Sequence, residues 1–189
     1  YLAACGLPKE RTYVTGSPMA EVLHNNLAEI EASDVHRRLC LEKGKYILLS
    51  AHREENIDTE KNFLSLFTAI NKMAEKYDMP ILYSCHPRSR NRLAISGFQF
   101  DSRVIQHEPL GFHDYNCLQM NAFAVVSDSG TLPEESSFFT SVGHPFPAVC
   151  IRTSTERPEA IDKGDFIIAG IDEKSLLQAV DTAVELCKD

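Results

Sequence analysis

A polar turn that joins an apolar run to an amphipathic stretch has the residue types of an anion-binding site. Phe123–Val126 is apolar, Ser129 and Gly130 follow it, and Pro133 comes three residues later. A buried strand is a continuous apolar run, and proline is favoured in the first turn of a helix. Glycine permits an unusual φ and leaves no Cβ between the backbone and a ligand. Because free N–H groups at a helix start attract anions, this stretch predicts a phosphate site.

The start of the predicted helix carries three polar residues that suggest how it is capped and what it binds. Thr131 with Glu134 three residues later matches a capping box. Glu134 and Glu135 lie where the helix dipole favours carboxylates. Glu135, one turn into the helix, is placed to accept hydrogen bonds from a vicinal diol such as a ribose. Capped helices after polar turns also occur where nothing binds, so a purely structural role stays open for this stretch.

Three other predicted strands also end in residues suited to binding a polyanion. His52 and Arg53 follow one strand, His86 follows a second, and Arg157 lies beyond a third. Arginines and a helix N-terminus at one rim suit a diphosphate, since guanidinium groups bind phosphate bidentately. Taken singly, each residue has an ordinary explanation as a surface histidine or a solvated arginine, and Tyr115 as a core aromatic.

Strands alternate with helices along the chain, which indicates an α/β, doubly wound parallel sheet of the Rossmann-like type in one domain. Ligands of such sheets bind at the carboxyl ends of the strands, so the polar residues above are expected to meet there. The predicted strands are Arg11–Gly16, Tyr46–Ser50, Pro80–Cys85, Arg103–Gln106, Phe123–Ser127, Ala148–Arg152 and Phe166–Ala169. The predicted helices are the end of one at Tyr1–Gly6, a long one from Ser17 to Ile30, Val35–Leu41, Phe63–Tyr77, Arg88–Ile95, His113–Asn121, Pro133–Phe139, Glu156–Lys163 and Glu173–Cys187.

Composition narrows the choice of partners and location. The net charge is −8, with 27 acidic and 19 basic residues, which argues against nucleic acid as a partner. No apolar run approaches the roughly 18 residues of a membrane span, and no secretory signal opens the chain, so no membrane partner is expected. The six cysteines are scattered and form no C-x-x-C pair, which favours a cytoplasmic protein. Because the first residue is Tyr1, we expect a piece of a longer polypeptide.

Several other chemistries lack their motifs. The sequence contains no G-x-x-x-x-G-K-[ST] loop, and no G-x-G-x-x-G follows the first strand, so neither a P-loop nor a dinucleotide cofactor is predicted. G-x-S-x-G is also absent, although Ser127–Gly130 superficially suggests a serine hydrolase. The histidines lack the spacing of metal ligands. We therefore expect no cofactor and no metal.

The motifs, taken together and in order, resemble the C-terminal domain of the non-hydrolysing UDP-N-acetylglucosamine 2-epimerase family. The resemblance runs nearly end to end, through Leu7–Ser17, Ala51–Asn56, His86-Pro87, Ser127–Gly130, Glu134-Glu135 and Glu156–Glu159. The stretch Gly111–Asn121 resembles a sub-branch that acts on UDP-linked 2-acetamido-6-deoxy-L-hexoses. That sub-branch lies on the route to UDP-N-acetyl-L-fucosamine or L-quinovosamine for surface polysaccharide.

The resemblance implies one half of a GT-B fold, in which two Rossmann-like domains hold a UDP-sugar between them. It implies an isomerase that inverts C2 by anti elimination of UDP and re-addition, without a cofactor and as a homodimer when full-length. By position it assigns catalysis to His52, phosphate binding to Ser129, Gly130 and Thr131, ribose binding to Glu135, a place beside the uracil to Tyr115, and another UDP contact to Arg157. Arg53, Glu55 and His86 match positions of a regulatory UDP-sugar site in some bacterial members.

This chain departs from the family pattern at three points. Ser129–Glu135 differs from the usual S-G-G-x-Q-E-E, and Phe139–Phe146 looks like a few inserted residues. The carboxylates of the family's N-terminal domain, proposed to move protons at C2, have no match here. Proton abstraction needs a positioned base, so this chain alone is expected to bind UDP weakly without epimerising it. Two alternatives remain: a GT-B glycosyltransferase, and a non-catalytic UDP-sugar-binding module.

Overall fold

The computed structural model describes residues 2–53, 56, 59–152 and 166–188, without the side chain of Arg88. Its centre is a six-stranded sheet with the order β3-β2-β1-β4-β5-β6, in which all neighbouring strands are parallel. The strands are β1 (Ile47–Ser50), β2 (Ile81–Ser84), β3 (Val104–His107), β4 (Ala124–Ser127), β5 (Ala148–Ile151) and β6 (Ile167–Ala169). This order is doubly wound, because the chain builds outward from β1 to one edge and then from β4 to the other. The predicted fold class is confirmed.

Helices cover both faces of the sheet. They are α1 (Met19–Asn25), α2 (Leu27–Glu31), α3 (Val35–Leu39), α4 (Glu60–Tyr77), α5 (Pro87–Ser96), α6 (Phe112–Met120), α7 (Leu132–Ser141) and α8 (Glu173–Leu186). Side chains alternate across a strand, so Ile47 and Leu49 join a core that includes residues of α4 and α8. Leu48 joins a second core, with residues of α1, α6 and α7. Among the described residues, no helix is both long and apolar enough to cross a membrane.

Three predictions for the first thirty residues are wrong. Residues 2–6 form turns instead of a helix. The predicted strand Arg11–Gly16 is absent, because Arg11 ends a 3-10 turn that begins at Lys9 and residues 12–16 form no strand. A strand needs a neighbour to pair with, whereas here Val14 is 100% exposed. The long helix breaks into α1 and α2 at Asn26, whose side-chain amide donates to the Val22 carbonyl and so competes with the helical pattern.

The segment Phe139–Phe146, which we interpret as an insertion, lies away from the carboxyl ends of the strands. It completes α7, turns at Gly143 with φ of +85°, and leads into the amino end of β5. Phe139 and Phe146 are both buried, with ring centroids 6.0 Å apart. The segment therefore contributes to the core and to the opposite edge of the sheet. The helix predicted at Glu156–Lys163 lies outside the described residues.

Candidate functional site

The carboxyl ends of β1 and β4 form the centre of the candidate site. The two strands are neighbours, and Ser50 pairs with Ser127 at their last residues. Between them the strand order reverses, because β2 lies on one side of β1 and β4 on the other. Ligands of doubly wound sheets bind in the crevice at such a point. The segments that leave β1 and β4 are therefore the first place to look for chemistry.

Asp128, immediately after β4, ties these two segments together. Its side chain is fully buried, and its Oδ2 accepts hydrogen bonds from the backbone N–H groups of His52 and Arg53, at 2.9 and 2.8 Å. Asn56 donates its side-chain amide to the same oxygen at 3.1 Å. The Asp128 N–H in turn donates to the Ser50 carbonyl, at 3.0 Å. One carboxylate therefore fixes the backbone that carries His52, a role that the sequence analysis missed.

Two arginines reinforce this tie from the other side. Arg53 donates Nε to the Asp128 carbonyl at 2.8 Å, and Arg152 donates a guanidinium N–H to the same carbonyl at 3.3 Å. Arg152 is only 5% exposed, so it is buried at the carboxyl edge of the sheet. The predicted ligand contact Arg53 is thus bonded inward through Nε. Arg152, at the end of β5, is a rim arginine that the sequence analysis assigned only to the strand.

A pocket opens beside this tie. It has a volume of about 240 Å³, and its lining residues include His52, His86, Tyr115 and Ser129, which the sequence analysis had singled out. The pocket is completed by Ser50, Ser84 and Pro109. His52 shares a hydrogen bond with the Ser50 hydroxyl at 3.0 Å, and its ring centroid is 6.4 Å from that of His86. Residues that follow β1, β2 and β4 therefore meet with a helical tyrosine at one crevice.

Tyr115 presents a neutral phenol to this pocket. Burial raises the pKa of Tyr115 and the nearby Glu135 charge raises it further, while hydrogen bonding with the Ser50 and Ser127 hydroxyls opposes the shift. The sequence left open whether this residue is a core aromatic or faces a ligand. It lines the pocket and also packs against a hydrophobic core.

The turn after β4 partly satisfies its own N–H groups. The Ser129 N–H donates to the Ser127 hydroxyl at 3.0 Å, and the Thr131 N–H donates to the Ser129 hydroxyl at 3.3 Å. Two of the N–H groups in the predicted anion site thus already have partners. Among the described residues, the glycines with positive φ are Gly6, Gly16, Gly44, Gly97 and Gly143. Gly130 is not one of them, so the turn does not use the unusual φ that glycine permits.

The predicted capping box is also wrong, although α7 begins where expected and has Pro133 in its first turn. Thr131 has φ of −92° and ψ of −12°, and its side chain caps no backbone N–H. Its hydroxyl instead donates to Glu135 Oε1 at 2.8 Å. Glu134 accepts a hydrogen bond from the Ser17 hydroxyl, at 2.6 Å. Because Thr131 is already helical, its side chain runs along the helix towards residue 135.

Glu135 is held between two helices. It is 8% exposed, and Gln119 on α6 donates its amide to Glu135 Oε2 at 2.9 Å. Burial raises the pKa of the Glu135 carboxyl, and the charge of Glu134 adds to this, whereas the bonds from Gln119 and Thr131 hold the pKa down. Gln119 was not singled out from the sequence. Its position four residues after Tyr115, on the same face of a helix, is the signal that would have found it.

Two predicted site residues, Glu55 and Arg157, lie outside the described residues. The structure brings the other eight to the carboxyl edge of the sheet or to the start of α7. Within the described part of the chain, no three His, Cys, Asp or Glu side chains are grouped closely enough to hold a metal ion.

Comparison with known proteins gives one consistent family. The family model described as UDP-N-acetylglucosamine 2-epimerase matches residues 1–188. The UDP-N-acetylglucosamine 2-epimerase of Methanococcus maripaludis is 30% identical over 186 residues, which cover 93% of this chain and 49% of that protein. The chain therefore spans about half the length of the curated relatives that it matches.

Two solved structures resemble the chain over nearly its whole length. The UDP-N-acetylglucosamine 2-epimerase of Rickettsia bellii is 36% identical with a TM-score of 0.83, and the match covers 97% of this chain and 47% of that one. The Methanocaldococcus jannaschii UDP-GlcNAc 2-epimerase, solved in complex with UDP-GlcNAc and UDP, is 27% identical with a TM-score of 0.84. That match covers 97% of this chain and 51% of the other.

Proposed function

The chain belongs to the UDP-N-acetylglucosamine 2-epimerase family, and from this premise we propose that it is the C-terminal, UDP-binding half of a UDP-N-acetylhexosamine 2-epimerase. The observation that carries the proposal is the pocket at the carboxyl ends of β1, β2 and β4. Residues that follow β1, β2 and β4 line it, and the lining residue Ser129 shares a hydrogen bond with Thr131, which donates to the buried Glu135 carboxylate. A relative solved with UDP-GlcNAc and UDP supports the ligand class.

Each part of UDP has a matching group around this pocket. We assign the uracil to the face of Tyr115, the ribose to Glu135, and the diphosphate to the turn at Ser129, Gly130 and Thr131 at the start of α7. The helix dipole favours negative charge there, although two of the N–H groups already have partners. Arg157 is a further UDP contact in this proposal. By the resemblance, we assign Arg53, Glu55 and His86 to contacts with a regulatory UDP-sugar.

His52 acts where the leaving group departs. In an anti elimination the bond between C1 and the UDP oxygen breaks while a base removes the proton from C2, which leaves a 2-acetamidoglycal. UDP gains negative charge in this step, and a nearby imidazole that donates a hydrogen bond to it lowers the barrier. Asp128 and Ser50 hold the backbone and the ring of this histidine. A proton is then delivered to the other face of C2 and UDP re-forms its bond to C1, which gives the epimer.

The size of the pocket supports a divided site. Small-molecule sites usually enclose about 300 to 1,000 Å³, whereas this pocket has about 240 Å³. It therefore holds only part of a UDP-sugar, and a second Rossmann-like domain would complete the enclosure in a GT-B arrangement. The base that acts on C2 would come from that domain. The isolated chain is accordingly expected to bind UDP and to show no epimerase activity.

The finer parts of the proposal concern the substrate and its use. The resemblance of Gly111–Asn121 to the 6-deoxy-L-hexosamine branch favours a UDP-2-acetamido-6-deoxy-L-hexose, with UDP-GlcNAc as the other substrate type. The product would serve surface polysaccharide synthesis in the cytoplasm, and the full-length enzyme would act as a homodimer.

An assay of both substrates without a sugar acceptor separates an epimerase from a glycosyltransferase. Epimer formation with deuterium incorporated at C2 in D2O supports the epimerase, and its absence with both substrates contradicts it. That assay requires a fusion of this chain to the N-terminal half of a relative, because the chain spans about half the length of the relatives that it matches.

Calorimetric titration with UDP tests the nucleotide site directly. Glu135→Ala and Arg157→Ala are each expected to weaken binding about tenfold or more, the usual result of losing a charge-assisted hydrogen bond. Glu185→Ala is the matched control, because Glu185 is an exposed glutamate on α8, away from the pocket. Equal affinity of all four proteins would place UDP elsewhere and contradict the assignment.

A further inference from the structure

Gln119 is fully buried, yet half of its amide is unused. Its Nε2 donates to Glu135 Oε2 at 2.9 Å, while its Oε1 has no hydrogen-bond partner in the described part of the chain. A buried acceptor without a partner costs free energy, which a leucine or methionine of similar size would avoid. Packing alone therefore does not explain a glutamine at this position. The bond to Glu135 is the contact that does.

The position of Gln119 on α6 connects it to the pocket. Residues four apart on a helix lie on the same face, and Tyr115 comes four residues before Gln119. Tyr115 lines the pocket, so Gln119 lies one turn further along the same face. Its amide reaches across to the first turns of α7, where Glu135 lies. The contact thus joins the tyrosine-bearing helix to the helix that starts at the Ser129–Thr131 turn.

Glu135 is held at both oxygens. Oε1 accepts from Thr131 and Oε2 accepts from Gln119. A carboxylate oxygen accepts about two hydrogen bonds, so each oxygen keeps capacity for one more. Two fixed acceptors side by side match the two neighbouring hydroxyls of a ribose. A carboxylate fixed in advance also loses less conformational freedom when it binds.

The same two donors favour the charged form of the carboxylate. Burial raises the pKa of Glu135 and the neighbouring Glu134 charge raises it further, while the hydrogen bonds from Gln119 and Thr131 oppose this. An ionised carboxylate offers acceptors only and forms stronger hydrogen bonds with hydroxyl groups than its neutral form does. Loss of the Gln119 amide would therefore weaken both the orientation and the charge of Glu135.

We propose that Gln119 is a positioning residue that holds Glu135 for a ribose diol, and that it thereby sets the preference of this site for a ribonucleotide over a 2′-deoxyribonucleotide. The inference rests on the proposed UDP site and adds a determinant of specificity to it. Gln119 acts through Glu135 and does not itself contact the nucleotide.

The test compares UDP with 2′-deoxy-UDP by calorimetric titration of this chain. The unsubstituted chain is expected to prefer UDP about tenfold or more, as a hydroxyl bonded to a charged group predicts. Gln119→Leu and Gln119→Met remove the donor at nearly constant volume, and they are expected to reduce the preference to about threefold or less. Gln178→Leu, at an exposed position on α8, is the matched control and should keep the full preference.

The possible outcomes distinguish failure of this inference from failure of the proposed UDP-binding function on which it rests. No binding of UDP by the unsubstituted chain contradicts the proposed site and the inference together. Binding that Glu135→Ala weakens, with the UDP preference intact in both Gln119 variants, leaves the site standing and overturns the inference. Equal affinity of the unsubstituted chain for both nucleotides overturns it as well. Failure of both variants to fold would also contradict it, because the unused amide oxygen implies that an apolar side chain packs well there.

Discussion

Two buried carboxylates, seven residues apart, illustrate different uses of a negative charge inside this protein. Asp128 is fully buried, and backbone N–H groups of the segment after β1 donate to it. Glu135 is 8% exposed, and the side chains of Thr131 and Gln119 donate to it. Backbone donors fix the path of the chain, whereas side-chain donors orient the carboxylate itself. The donors to Asp128 therefore fix the fold at the candidate site, while those to Glu135 leave each of its oxygens with capacity for a further hydrogen bond.

Substitution of Asp128 should give the largest change in stability. Asp128→Ala leaves two backbone N–H groups and the Asn56 amide without their acceptor, so we expect the free energy of unfolding to fall by about 3 kcal/mol or more. Asp128→Asn keeps one acceptor oxygen and should lose about half as much. Urea denaturation followed by circular dichroism measures both. A loss below about 1 kcal/mol in Asp128→Ala would show that water replaces the carboxylate without difficulty.

Substitution of Glu135 should affect binding more than stability. Glu135→Gln keeps the shape of the side chain and removes a charge that burial disfavours, so the free energy of unfolding should change by about 1 kcal/mol or less. The affinity for UDP should fall about tenfold, because an amide offers one acceptor oxygen in place of two. Denaturation and titration of the same sample measure the two effects. If Glu135→Gln lowered the free energy of unfolding strongly and left the affinity for UDP unchanged, Glu135 would stabilise the fold as Asp128 does, and the contrast would be wrong.

The pH dependence of UDP binding should report the raised pKa of Glu135. As the pH falls through that value, the carboxyl gains a proton and loses an acceptor. The loss of UDP affinity should therefore begin at a higher pH than the pH at which an ordinary glutamate titrates. Within the described part of the chain, the charged and titratable groups that act on Glu135 are Glu134 on the same helix and the neutral Tyr115 on α6. Titrations from pH 5 to 8 measure the effect, and the difference from Glu135→Gln removes the ionisation of UDP itself.

The same group has the opposite effect on stability. A raised native pKa means that the folded chain holds more protons than the unfolded chain between the two values. The contribution of Glu135 to stability is therefore complete at low pH and declines as the pH rises through that window. Comparing the denaturation of the chain with that of Glu135→Gln across the pH range isolates the contribution of Glu135. A difference that does not vary with pH would contradict the raised pKa.

The smallest effect is expected at the exposed contact between Ser17 and Glu134. Ser17→Ala removes the 2.6 Å bond to Glu134 and a 3.2 Å bond from the Met19 N–H, which we expect to lower the free energy of unfolding by about 0.5 to 1 kcal/mol. The preference for UDP over 2′-deoxy-UDP should not change, because Glu135 keeps both of its donors. A change in that preference would show that Glu134 acts on Glu135 through the position of α7.

Local pattern determined much of the fold. Apolar runs predict the six strands of the sheet within about one residue at each end, and the strand-end rule brings His52, His86 and Ser129 to one edge. Such patterns are short-range, so they are readable without knowledge of the rest of the chain. The strand predicted at Arg11–Gly16 is wrong for the complementary reason. Its composition fits a strand, but no strand in the described part of the chain pairs with it.

The sequence by itself determined the class of fold, the edge of the sheet where the candidate site lies and the family resemblance. The tertiary structure decided which residues hold the site together. Asp128 meets the His52 backbone across 76 residues, and Gln119 meets Glu135 across 16. Whether a carboxylate orders the backbone or faces a ligand depends on the donors that surround it. Those donors come from distant parts of the chain, so only folding brings them into contact with the carboxylate.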